Sequence, residues 1–242
     1  CAESMIARDN NGHLTGTIGD IGVWSFQSAK QLTCGDGGII TTNNSKLGKK
    51  IRKFSNLGFK ILDAKSSRIA VSKDIRQNPN YTRFDEIGYN YRMNEFSAAI
   101  ALAQCERVKY FVKKRRVSAI SLLKVIKKNK YLIPQKVQKK TYSTYYTLAI
   151  KLNESKTINL NWKNFRKKYM EYGGDGIYAA AKLIHQEPAI KKNKIGKQYH
   201  STPNAFDLQR KLLLFTTNQS NLKEINTQVK ALKKTIEFFK IN

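Results

Sequence analysis

Between residues 17 and 42 the apolar positions fall in short runs punctuated by glycine. Ile18-Gly19-Asp20-Ile21-Gly22-Val23-Trp24-Ser25-Phe26 leads to Gly35-Asp36-Gly37-Gly38 and then to Ile39-Ile40-Thr41-Thr42, which predicts a strand, a loop and a second strand. Leu47, Ile51, Phe54 and Leu57 follow at helical spacing among lysines, so a helix with a buried stripe is expected over 44–57. Strand and helix alternate in the α/β manner. From about 58 to 88 the chain is polar, contains Pro79 and keeps no period, the pattern of a long functional loop. Asn94 is placed to cap a helix with Phe96, Ala99, Ile100, Ala103 and Val108 among its apolar positions, running on as a basic helix to about residue 128.

Further along, Tyr142 to Ile150 is rich in aromatic and β-favouring residues and predicts a strand. Trp162 to Tyr172 predicts a helix closed by Gly173-Gly174, and another strand is expected near Lys211 to Thr216. Ile225, Val229, Leu232, Ile236 and Phe239 form the stripe of a terminal amphipathic helix. Residues beyond about 108 thus read as a smaller α+β unit.

A chain of 242 residues with 40% hydrophobic content has room for one large domain or two small ones. It has no run of about 18 apolar residues and no secretory signal pattern, so a cytoplasmic protein without a membrane partner is expected. The three cysteines, Cys1, Cys34 and Cys105, have neither disulfide-framework nor metal-ligand spacing, and His13, His185 and His200 make no zinc pair. No metal is expected. The net charge of +28, from 45 Lys+Arg against 17 Asp+Glu, invites a nucleic-acid partner. The lysines are spread along the whole chain rather than gathered in one stripe, which favours a solvated basic surface, no nucleic-acid partner, and a field that attracts anionic small molecules.

A lysine that bonds a carbonyl cofactor needs a shielded setting beside groups that hold an anion, because only the neutral amine is a nucleophile. Lys30 has that setting. It follows the apolar strand in Trp24-Ser25-Phe26-Gln27-Ser28-Ala29-Lys30 and precedes the turn Gly35-Asp36-Gly37-Gly38. Ser25 and Ser28 carry hydroxyls that can donate to a phosphate, and glycine backbone can approach one closely. The spacing alone leaves open a surface lysine beside an ordinary turn.

Two blocks of the sequence resemble the DegT/DnrJ/EryC1/StrS sugar aminotransferases. The first is Gly19-Asp20-Ile21-Gly22-Val23-Trp24-Ser25-Phe26, then Lys30 and Thr33-Cys34-Gly35-Asp36-Gly37-Gly38; the second is Gly88-Tyr89-Asn90-Tyr91-Arg92-Met93 with Ala98-Ala99-Ile100-Ala101-Leu102-Ala103-Gln104. The resemblance implies pyridoxal 5'-phosphate as cofactor, with Lys30 as the lysine that bonds it and later carries the proton. It also implies that Ser25 contacts the cofactor phosphate, that Asn90 reaches the phosphate in a neighbouring subunit of a homodimer, and that Glu3 lies near the phenolic oxygen. The implied fold is the C-terminal half of a fold-type I aminotransferase large domain, residues 1–108, followed by a small α+β C-terminal domain, 109–242. On this reading the family's earlier segment, with the aspartate that partners the pyridine nitrogen, would stand before Cys1.

The implied reaction moves an amino group from an amino acid, typically glutamate, to a nucleotide-linked 4-keto-6-deoxy sugar for surface polysaccharide synthesis. Gly173-Gly174-Asp175-Gly176-Ile177-Tyr178 and His185-Gln186-Glu187-Pro188-Ala189 resemble the segment that meets the sugar, and they lean the expected product toward perosamine. Tyr178 and His185 are the candidate sugar contacts there, with packing roles as the alternative. Ala181 stands where a larger residue is expected. Arg92, more than Tyr81 or Arg83, is a candidate for a carboxylate or diphosphate, with a structural ion pair as its other reading. A sugar dehydratase of the same fold would carry histidine in place of Lys30. The alternative function is a catalytically incomplete or non-catalytic binding member of the fold.

Overall fold

The computed structural model describes residues 1–60, 72–127, 129–193 and 202–241. Packing divides the chain into two compact units, Cys1–Val108 and Lys109–Asn242.

In the first unit, β1 (Gly22–Ser25) pairs antiparallel with β2 (Gly38–Thr41), Val23 opposite Ile40 and Ser25 opposite Gly38. The segment between them folds back on itself. The Phe26 N–H donates to the Gly37 carbonyl at 2.8 Å and the Cys34 N–H to the Phe26 carbonyl at 3.0 Å, while Phe26, Leu32 and Cys34 are buried. The helix expected over 44–57 is α1 (Ser45–Ser55), whose first turn is satisfied by the Asn44 side chain accepting from the Lys46 and Leu47 N–H groups. Its stripe is not buried as the periodicity led one to expect: no residue of α1 is buried and Phe54 is 46% exposed. Among the described residues of this unit, a two-stranded sheet offers too little apolar surface to cover it.

The stretch expected as an aperiodic loop holds a five-residue helix, α2 (Lys73–Gln77), started by the Ser72 hydroxyl, and a bridge between Phe59 and Phe84. Residues 61–71 of that stretch lie outside the described residues. Gly58 adopts φ +74° and lies so close to the Glu86 backbone that a Cβ there would collide with its carbonyl. Asn94 caps α3 (Glu95–Glu106), its side chain accepting from the Ser97 N–H at 2.8 Å. The helix stops at Arg107 instead of continuing, and α4 (Val108–Val125) begins anew; Lys128, near the expected end, is outside the described residues.

In the second unit, α4 is followed by β3 (Leu132–Pro134) and β4 (Thr147–Leu152). The predicted strand over 142–150 therefore starts five residues late. Tyr145 has φ +46°, which an extended ladder cannot include, and the carbonyls around it are taken by side chains. Arg116 donates to Ser143, Arg115 to Tyr146 at 3.1 Å, and Thr217 to Tyr145 at 2.6 Å. Next come α5 (Trp162–Glu171), capped by Asn161 and ended with Gly173 at φ +87°, and β5 (Ile177–Ala179). A 3-10 turn (Ile184–Gln186) and two short helices, α6 (Pro188–Lys192) and α7 (Pro203–Gln209), lead to β6 (Leu212–Thr216) and α8 (Leu222–Phe239).

The sheet is antiparallel throughout, in the order β3-β4-β6-β5. Alternation sends Leu148, Ile150 and Leu152 of β4 and Leu213 and Phe215 of β6 into one core with Phe165 and Tyr169 of α5 and Leu232, Ile236 and Phe239 of α8. Phe165 stacks on Phe239 at 6.2 Å and meets Phe215 edge-on at 6.5 Å. Each fully buried side chain of this kind contributes roughly 1.5–3 kcal/mol of transfer free energy. No described helix is long and apolar enough to cross a membrane.

Candidate active site

The loop that leaves β1 is shaped by short-range hydrogen bonds. The Gln27 N–H donates to Ser25 Oγ at 3.3 Å, the Ala29 N–H to Gln27 Oε1 at 2.9 Å, and the Lys30 N–H to the Gln27 carbonyl at 2.9 Å. These bonds make a tight turn that ends on Lys30. Its ammonium Nζ lies 2.8 Å from Oε1 of Glu3, 27 residues earlier, with the lysine side chain 22% exposed and the carboxylate 50% exposed. Lys30 and Glu3, both named for the cofactor by the family resemblance, thus meet in space.

Immediately after Lys30, the side chain of Gln31 is buried, and its Oε1 accepts the Met5 N–H at 2.8 Å. Sequence reasoning passed over this residue. A buried glutamine is one polar residue among many in a chain this hydrophilic, and only its depth in the structure shows that it ties the two segments together.

Ser25 closes β1, half-buried. Because its Oγ accepts from Gln27, its own proton remains available to an anion. Ser25 also lines an open groove of about 1010 Å³ with Gly37, Gly38, Ile39, Phe54, and Tyr91. Asn90 and Arg92 hold each other: Arg92 Nε donates to Asn90 Oδ1 at 3.0 Å and Arg92 Nη1 to Asn56 Oδ1 at 3.2 Å. Among the described residues, the hydrogen-bond partners of Arg92 are amide oxygens. Tyr89 and Tyr91 on either side stack at 5.4 Å, with Phe54 edge-on to Tyr89 at 5.2 Å. Arg83 is engaged through its backbone carbonyl, which accepts the Lys60 N–H.

Tyr178 and His185 belong to the second unit. Tyr178 sits on β5 opposite Leu214 and is 62% exposed, while His185 is half-buried in the 3-10 turn. The loop before β5 is fixed by a buried amide, since Gln228 Oε1 accepts both the Tyr169 hydroxyl at 2.6 Å and the Asp175 N–H at 2.7 Å. Desolvation, reinforced by the Asp175 charge, pushes the Tyr169 phenol far above its ordinary range. No cluster of three or more His, Cys, Asp or Glu that could hold a metal occurs among the described residues.

The donor set of the first unit suits a phosphorylated aldehyde. It offers a half-buried primary amine at Lys30, a hydroxyl with a proton to give at Ser25, and a carboxylate at Glu3 on the amine. The fold has counterparts among solved structures. An aminotransferase from Psychrobacter cryohalolentis superposes with a TM-score of 0.83 over 99% of this chain and 61% of its own, at 22% identity. The Escherichia coli GDP-4-keto-6-deoxy-D-mannose-3-dehydratase with bound hydrated PLP gives 0.72 over 96% and 59%, again at 22% identity. The architecture is that of PLP-dependent sugar aminotransferases, matched over about three fifths of their length.

Residues 1–232 match the model of the DegT/DnrJ/EryC1/StrS aminotransferase family, and the chain belongs to that family. A GDP-perosamine synthase of Escherichia coli O157:H7 is 32% identical over 152 residues, 62% of this chain and 36% of the relative. The chain therefore spans about a third of that relative's length. Membership of this aminotransferase family indicates pyridoxal 5'-phosphate as the cofactor.

Proposed function

We propose that this chain carries the cofactor lysine of a PLP-dependent nucleotide-sugar aminotransferase, with Lys30 in that role. The observation that carries the reading is the 2.8 Å contact between Lys30 Nζ and Glu3 Oε1, which joins two family-like segments at one point. Unit Cys1–Val108 then serves as the later part of the cofactor-binding domain, and Lys109–Asn242 as the small C-terminal domain.

Bound pyridoxal phosphate supplies an electron sink for breaking a bond at the carbon that bears the amine. The chain supplies the rest. Lys30 Nζ would bond the cofactor's aldehyde carbon with loss of water, and as a free amine it would be placed to accept and return a proton there. Glu3 keeps that amine oriented. Ser25 Oγ–H donates to the phosphate, and Asn90, exposed where it bridges to Asn56, serves the phosphate bound in a second subunit of a homodimer. Arg92 favours an anionic group of donor or substrate. Tyr178 and His185 present a phenol and an imidazole to sugar hydroxyls. The acceptor is a nucleotide-linked 4-keto-6-deoxy sugar, in a perosamine-type reaction, with glutamate as donor, and the reaction takes place in the cytoplasm. Lysine at position 30 is what favours transamination over the dehydratase reading.

The test is the absorbance of the purified chain titrated with pyridoxal phosphate. A band near ~410–430 nm that is lost in Lys30→Ala is the expected result, because a protonated lysine adduct absorbs there and the free cofactor does so at shorter wavelength. A band of equal strength in Lys30→Ala would remove Lys30 from the role.

A further inference from the structure

Glu3 stands on a segment with little regular structure, and its carboxylate is 50% exposed. An ion pair between one half-exposed carboxylate and one flexible lysine is marginal unless the backbone carrying one of them is held. Three contacts hold it here. Gln31 Oε1 accepts the Met5 N–H at 2.8 Å, Thr15 Oγ1 donates to the Ser4 carbonyl at 2.6 Å, and the Thr15 N–H donates to the Ala7 carbonyl at 2.9 Å. Between the anchored Met5 and Ala7, Ile6 takes φ +53°, a conformation that a β-branched residue keeps only when its neighbours are fixed.

Of the three anchors, only Gln31 comes from the lysine's own loop. It is covalently next to Lys30, is 7% exposed, and reaches the residue two places beyond Glu3. Any movement of the Lys30 loop is thereby passed to the backbone that bears Glu3. We infer that Gln31 is a positioning residue that sets the Glu3 carboxylate against the Lys30 amine before any cofactor arrives. Its significance for catalysis rests on the function proposed above, whereas the positioning itself is a property of the chain alone.

The experiment uses the unliganded chain and measures acetylation of Lys30 by a trace of acetic anhydride, read by peptide mass spectrometry against the other lysines of the same sample. Gln31→Met keeps the side-chain length and loses the accepting oxygen. Gln31→Asn keeps the amide but is one methylene too short to reach Met5, and it serves if the first variant folds poorly. Each is expected to raise Lys30 labelling by about three- to tenfold, the range that one lost hydrogen bond allows. Glu3→Ala should raise it by a similar factor, and Gln31→Met added to Glu3→Ala should do nothing more, because the two act through one contact.

Unchanged labelling in both Gln31 variants, or an equal further rise in the Glu3→Ala background, would overturn the inference, the latter by showing general loosening. Cofactor absorbance in the same proteins separates the two readings. A chain that shows the coupling but no Lys30-dependent band keeps the positioning and loses the cofactor role.

Discussion

The two units of the chain are built on different principles. In Lys109–Asn242 a continuous core joins a four-stranded antiparallel sheet to α5 and α8, and Phe165, Leu152 and Leu213 are wholly buried. Among the described residues of Cys1–Val108 the buried apolar ones are few, Phe26, Leu32 and Ala101 among them, while Ile87 and Phe96 are 88% and 86% exposed. Side chains hold the second unit together; turns, bridges and close backbone approaches such as Gly58 against Glu86 shape the first. The residues proposed to hold the cofactor, Glu3, Ser25, Lys30 and Asn90, all belong to the first unit. Lys30, the proposed cofactor lysine, sits in a loop of the first unit defined by hydrogen bonds, the kind of segment in which local rearrangement costs least.

The largest test of this contrast is a pair of matched truncations. Phe165→Ala removes a ring packed on two others and is expected to cost about 3–5 kcal/mol, whereas Phe54→Ala, at a half-exposed position, should cost about 1 kcal/mol or less. Urea unfolding of both variants checks it, and equal losses would dissolve the distinction. A smaller effect is expected from Gln228→Leu, which strands the Tyr169 hydroxyl and the Asp175 N–H together. The loss should be about 1–3 kcal/mol, with no change in cofactor absorbance.

The subtlest effect is one of pH. The folded protein holds the Tyr169 proton more tightly than the unfolded chain does, chiefly because the buried phenolate would be desolvated. The stability this confers is therefore fully present below the unfolded value of about 10 and is lost as pH rises above it. Unfolding midpoints from pH ~8 to ~11 should fall more steeply for the natural chain than for Tyr169→Phe. Parallel curves would exclude Tyr169 as the cause.

The same contrast explains what the sequence disclosed. The terminal stripe Ile225, Val229, Leu232, Ile236 and Phe239 gave α8 because those positions face a core. The period in 44–57 gave α1 correctly but not its burial, since periodicity reports which face is apolar and not whether anything covers it. The strand at 147–152 was displaced because aromatic richness extends back to Tyr142, whereas a left-handed Tyr145 and the arginines of α4 end the ladder, and neither is visible as a local pattern. Lys30 was singled out by its glycine-bounded setting and the block around it, and its role stands as a proposal. The resemblance named Glu3 only as a neighbour of the cofactor's phenolic oxygen; its contact with Lys30 spans 27 residues and had no sequence signal, nor had the buried Gln31.

Because the chain contains so many lysines, selectivity is the most direct test of its central claim. The measurement is borohydride reduction of the chain after incubation with pyridoxal phosphate, followed by peptide mass spectrometry to locate the phosphopyridoxyl group. A single dominant site at Lys30, lost in Lys30→Ala without transfer to another lysine, is the predicted result. Modification scattered over the surface lysines, with Lys30 no more reactive than the rest, would contradict it.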